Sequence, residues 1–76
     1  MAYQTIESQR VIAKIGNVIE AVEIDAVLFT LAADAVVRVN DADTGEIIAR
    51  IAHTSQANAA AAYAVLVGKA RRQAGE

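Results

Sequence analysis

The segment Asp41-Ala42-Asp43-Thr44-Gly45 constrains this chain more than any other, because it sits between two β-prone runs. Ala35-Val36-Val37-Arg38-Val39-Asn40 precedes it, and Glu46-Ile47-Ile48-Ala49-Arg50-Ile51 follows. Two such runs joined by a short Asp/Gly-rich segment read as an antiparallel β-hairpin over about residues 35–52. Gly45 supplies the positive φ that closes the loop without steric cost. Val37 and Val39 then share one face, and Val36, Arg38 and Asn40 the other. On the second strand Ile47, Ala49 and Ile51 alternate with Ile48 and Arg50.

A helix is expected over about residues 55–73. Thr54 or Ser55 can cap it, since a short hydroxyl satisfies a free N–H of the first turn. The alanine-rich run from Ala57 to Ala64 has high helix propensity. Ala59, Tyr63, Leu66, Val67 and Ala70 fall on one stripe, with Asn58, Lys69 and Arg72 largely on the other side. Lys69, Arg71 and Arg72 complement the negative C-terminal end of the dipole, and Gly75 marks the frayed end.

The N-terminal half supports two readings. In the helical one, Thr5 caps a helix over about 5–15 and Gly16 ends it as a left-handed residue. Asn17 and Glu20 then form a capping box for a second helix over about 18–33. In the strand reading, Gly16-Asn17 is a two-residue turn, Ile15 faces Val18, Val11 faces Val22, and Arg10 pairs with Glu23. An antiparallel β-meander packed against the one C-terminal helix results. The helical reading is preferred, because Ala32-Ala33-Asp34 is poor turn chemistry. Both readings give an α+β fold in one domain over residues 1–76.

A chain of 76 residues buries only roughly 60% of its unfolded surface, so the core is thin. With no cysteine there is no disulfide framework, thiol chemistry or thiolate zinc site. A hydrophobic fraction of 55% without proline argues for order. The only aromatic residues are Tyr3, Phe29 and Tyr63, so the core is aliphatic. The net charge of −2 and pI near 5.2 argue against non-specific binding to nucleic acid. No segment reads as a signal peptide, and the apolar run from Ala26 to Ala33 is far short of the ~20 residues that span a bilayer. The expected compartment is cytoplasmic, without membrane attachment.

Few residues invite chemistry. In the Asp41–Glu46 loop Asp41 and Asp43 alternate like the start of a calcium loop, but the third acidic position and the closing Glu are missing. His53, the only histidine, lies beside Thr54 and Ser55, with no acid spaced to orient it. Glu20 and Glu23 would share a helical face as a solvated stripe. No Gly-rich phosphate loop occurs. No catalytic residue, cofactor or metal is expected.

Residues 36–48, from Val36-Val37-Arg38-Val39-Asn40 through Asp41-Ala42-Asp43-Thr44-Gly45-Glu46 to Ile47-Ile48, resemble the hairpin of the flagellar FlaG family. That family shares the Val-rich strand, the Asp-x-x-Thr-Gly-Glu turn and the aliphatic second strand. It continues with proline and acidic residues, where this chain has Ala52-His53-Thr54. The likeness is one of turn chemistry, and no function is carried over.

The chain reads as a small non-catalytic protein-interaction or assembly module. It is expected to form a homo-oligomer, or to act as a phage- or mobile-element-type inhibitor by occupying a partner's surface. The contact surface is expected on the hairpin's exposed face or edge, or on the alanine-rich helix. One alternative is a small enzyme or ligand-binding protein using His53 and the Asp41–Glu46 loop. Another is a weak nucleic-acid binder through Lys69, Arg71 and Arg72, with Arg38 and Arg50 from the hairpin.

Overall fold

The computed structural model describes residues 5–75; Tyr3 lies outside them. Thr5 caps the first helix, α1 (Ile6–Ile15), its hydroxyl oxygen accepting from the Ser8 N–H at 3.0 Å. Gly16, at φ 71°, ends it and donates its N–H to the Ile12 carbonyl. This is the helix the sequence predicts, with the predicted cap and stop.

The second predicted helix, over 18–33, does not form. Two strands stand in its place, β1 (Val18–Ile24) and β2 (Val27–Ala32). The β-branched residues Val18, Ile19, Val22, Ile24 and Val27 favour the pleated conformation. The chain reverses at Asp25-Ala26, where both residues have positive φ (53° and 63°) and Ile24 lies opposite Val27. Positive φ at both central positions is the signature of the tight hairpin turn whose twist matches the strands. The usual second residue is glycine; here it is alanine, held because the Ala42 N–H donates to the Ala26 carbonyl at 2.9 Å.

The hairpin follows as β3 (Val36–Asp41) and β4 (Ile47–Ala52), and then α2 (Gln56–Gln73), with Ser55 as its cap. The sheet order is β1-β2-β3-β4, every neighbouring pair antiparallel. The architecture thus joins the first helix of one reading to the meander of the other. Gly16-Asn17 leads from α1 into β1 and does not pair two strands, so Glu23 meets Thr5 and Ser8 rather than Arg10. No helix among the described residues is long and apolar enough to cross a membrane.

The main hydrophobic cluster lies on one sheet face. Val22, Ile24, Phe29, Leu31, Val37 and Val39 pack against Ala59, Tyr63 and Val67 of α2, the helical stripe predicted from spacing. Each valine or leucine buried this way contributes about 1.5–3 kcal/mol. Tyr63 donates its hydroxyl to the Phe29 carbonyl at 3.1 Å, so its polar tip is satisfied inside the core.

Helix α1 crosses the other face. Glu23, alternating with Val22 and Ile24, points that way, and its Oε1 accepts from the Thr5 N–H (3.0 Å) and the Ser8 hydroxyl (2.7 Å). The Thr5 hydroxyl in turn donates to the Ala42 carbonyl at 2.7 Å, tying the helix cap to the β3–β4 loop. Gly45, at φ 79°, lies under α1, and a Cβ there would come within 3.4 Å of Glu7 Oε2 and Val11 Cγ2. The turn is what requires glycine here, through its positive φ; the helix above would only be touched by a Cβ.

Candidate interaction surface

Both faces of the sheet carry a helix, so the unpaired backbone lies at its edges. Strand β4 is the barer edge. Every residue in it except Ala49 is exposed, and Ile47, Ile48 and Ile51 are 65%, 58% and 48% exposed. β1, the other edge, is largely half-buried or buried. The cleft beside it, lined by Ile19, Glu20, Tyr63 and Arg71, bears charges of both signs.

A bulge divides β4. Val39 lies opposite Ala49, Asn40 opposite Ile47, and Ile48 is the extra residue. The bulge changes which face each half presents. Glu46, whose carbonyl accepts from the Asp41 N–H, lies on the α2 side with Asp41. Arg50, opposite Arg38, lies on the α1 side. Without the bulge, residues four apart would have shared a face.

Beside β4, on the α2 side, runs an apolar groove of about 380 Å³. Val37 and Ile51 of the sheet line it, with Ala62, Val65 and Leu66 of α2. Val65 is 63% exposed. Lys69 and His53 complete the lining. Groove and edge make one continuous apolar surface through Ile51.

The residues singled out from sequence fall as follows. Arg38 and Arg50 are brought together as cross-strand neighbours. Arg38 is paired with Asp34, Nη2 to Oδ2 at 2.9 Å, and that hydrogen bond holds the Asp34 carboxyl below its ordinary pKa. Among the described residues, Arg50 enters no ion pair. Lys69, Arg71 and Arg72 do not make one patch: Lys69 lines the β4 groove and Arg71 the β1 cleft, while Arg72 lies alongside Gly68. Residues adjacent in sequence diverge by about 100° around a helix.

His53 lines the groove, and its buried Nε2 has no hydrogen-bond partner among the described residues. Its neighbours are engaged elsewhere. Thr54 Oγ1 accepts from Asn58 Nδ2, and Ser55 Oγ from the Asn58 N–H. Among the described residues, no hydroxyl is hydrogen-bonded to Nε2 as a nucleophile would require. In the Asp41–Glu46 loop, Asp41 Oδ1 accepts from the N–H groups of Asp43 (2.8 Å) and Thr44 (3.1 Å), so the carboxylate builds the turn. No three of the described His, Asp and Glu residues gather as a cation site would need. Glu20 and Glu23, expected on one helical face, are three apart on a strand and point to opposite faces.

No family model, curated protein or solved structure matches the chain. The likeness of residues 36–48 to the FlaG hairpin accordingly stays a likeness of turn chemistry. Val65 was missed from sequence because it falls beside the helical stripe rather than on it. Its signal is a second apolar line, Ala61, Ala62 and Val65, flanking the first.

Proposed function

We propose that this protein is a non-catalytic protein-interaction module that acts by laying the β4 edge and its adjoining groove against a partner. The observation that carries the reading is a strand paired on one side only, with three exposed isoleucines and continuous with an apolar groove. A bare strand edge is a template for another strand, and folded proteins usually blunt or cover it. Contiguous exposed apolar surface of this kind marks contact sites in soluble domains. Adding a strand supplies affinity through the main chain, and pockets for alternate side chains supply selectivity.

The test is a photo-crosslinking residue placed singly at Ile48, Ile51 or Asp25 in cells of the source organism. The expected result is a discrete crosslinked protein from positions 48 and 51 and none from the turn at 25. Equal products from all three positions, or none from 48 and 51, would overturn the reading.

A further inference from the structure

We infer that the β4 edge takes an extended segment of another protein in which apolar residues alternate with acidic ones; this rests on the interaction reading above. The two sides of the edge differ in chemistry. On the α2 side an added strand meets Ile51, Val65 and Leu66, with Lys69 alongside. On the α1 side it meets Arg50, which has no ion-pair partner among the described residues, next to an Arg38 already held by Asp34, and, beyond the bulge, Ile47, which shares a cleft with Lys14 of α1. Side chains of a strand point alternately to the two sides. An occupant that fills the groove with one set therefore presents the other set to Arg50. Opposite charges directly across two strands attract and like charges repel, so the set facing Arg50 is acidic.

A second copy of this chain fits the edge poorly. Pairing two β4 strands antiparallel about a two-fold axis centred on Ala49, Arg50 or Ile51 sets Arg50 opposite Ile47, Arg50 or Ala52 of the other copy, the bulged Ile48 being passed over. In each of these registers the two Arg50 side chains are direct or diagonal neighbours on one face. The register that sets Arg50 opposite Glu46 fails for another reason. The bulge at Ile48 puts those two residues on opposite faces, so they do not meet. A foreign strand bears neither restriction.

The test uses three short capped peptides: alternating valine and glutamate, alternating valine and lysine, and the glutamate composition with its valines grouped together. Each is titrated into the full ¹⁵N-labelled chain while amide shifts are followed, with the solution mass measured in parallel. The alternating glutamate peptide is expected to shift residues 47–52 and 65 and to bind about tenfold more tightly than either of the others. Arg50→Glu, an exposed change, is expected to reverse the preference between the glutamate and lysine peptides. Lys69→Glu, on the groove side where the valines lie, provides a second variant that is expected to leave the preference for the glutamate peptide over the lysine peptide unreversed. Equal binding of all peptides, shifts confined to β1, or no binding at millimolar concentration would overturn the inference. A dimer whose dissociation on dilution shifts β4 amides would overturn it in favour of self-pairing. If crosslinks form at positions 48 and 51 but the peptides show no sign preference, the partner chemistry falls and the interaction reading stands.

Discussion

The side-chain amide of Gln56 grips the turn at Ala35 from a distance of 21 residues in sequence: Oε1 accepts from the Ala35 N–H at 3.0 Å while Nε2 donates to the Ala32 carbonyl at 2.9 Å. Ala35 has φ 61°, a left-handed conformation that an L-residue other than glycine or asparagine rarely adopts. The first residue of α2 thus serves as the external brace of the β2–β3 turn. Its carbonyl side is closed too, because the His53 N–H donates to the Ala35 oxygen at 2.9 Å.

Gln56→Ala removes both bonds and leaves an amide and a carbonyl of the turn without their partner. The expected loss is about 2 kcal/mol, read from the urea midpoint at unchanged slope. Ala35→Gly relieves the strained dihedral and is expected to restore part of that loss in the double variant. A double variant as unstable as the single one would show that the brace acts elsewhere.

Ala26→Gly is expected to stabilise the protein by about 1 kcal/mol. The residue lies at φ 63° in the Asp25-Ala26 turn, where a Cβ is disfavoured and Asp-Gly is preferred. The gain of relieved strain exceeds the added entropy of glycine in the unfolded chain. Thermal and urea unfolding of the variant decide the sign.

Glu23 should make stability depend on pH. The Thr5 N–H first, and then the Ser8 hydroxyl, hold its carboxyl below the ordinary value of 4.5, partly opposed by desolvation. A depressed carboxyl contributes stability that is present above the unfolded pKa and disappears as pH falls through the folded one. Acidification from pH 7 to below 4 should therefore weaken the native protein more than Glu23→Gln. The measurement is the difference in unfolding free energy between the two pH values for each protein.

Tyr63 should ionise late. Burial is the main cause that pushes its phenol up to about 12, with Glu20 adding to it and Arg71 opposing. The neutral form is favoured in the folded state, so its contribution holds below pH 10 and is lost as pH rises through about 12. Phenolate absorbance is expected to appear for this residue only as the fold gives way. Tyr63→Phe loses the bond to the Phe29 carbonyl and about 1 kcal/mol at neutral pH.

The sequence was most informative where structure is set locally. Thr5 and Gly16 bound α1 with their own side chain and backbone, Asp41 and Gly45 build the β3–β4 turn, and the spacing of Ala59, Tyr63 and Val67 marks the inward face of α2. Residues 18–33 were hidden because their two turns break the local rule. Both carry alanine where glycine is usual, at Ala26 and Ala35. What holds them is distant in sequence: the Ala42 N–H in one case and Gln56 in the other. The proposed interaction surface was half visible. The outer strand of a hairpin is a natural edge, but the groove needs Val65 and Ile51 side by side, which only the packing of α2 on the sheet supplies.

The division of β4 into a groove side and an Arg50 side makes alignment on this edge discontinuous. A strand that slips by one residue exchanges its two rows of side chains, so the apolar row meets arginine and the charged row meets the groove. The next alignment that keeps both rows in place is two residues away, a step of about 6.8 Å. On the proposed reading, neighbouring positions along a partner would therefore not be graded by distance but accepted or refused in alternation, and the edge would measure an occupant the way a ratchet measures travel.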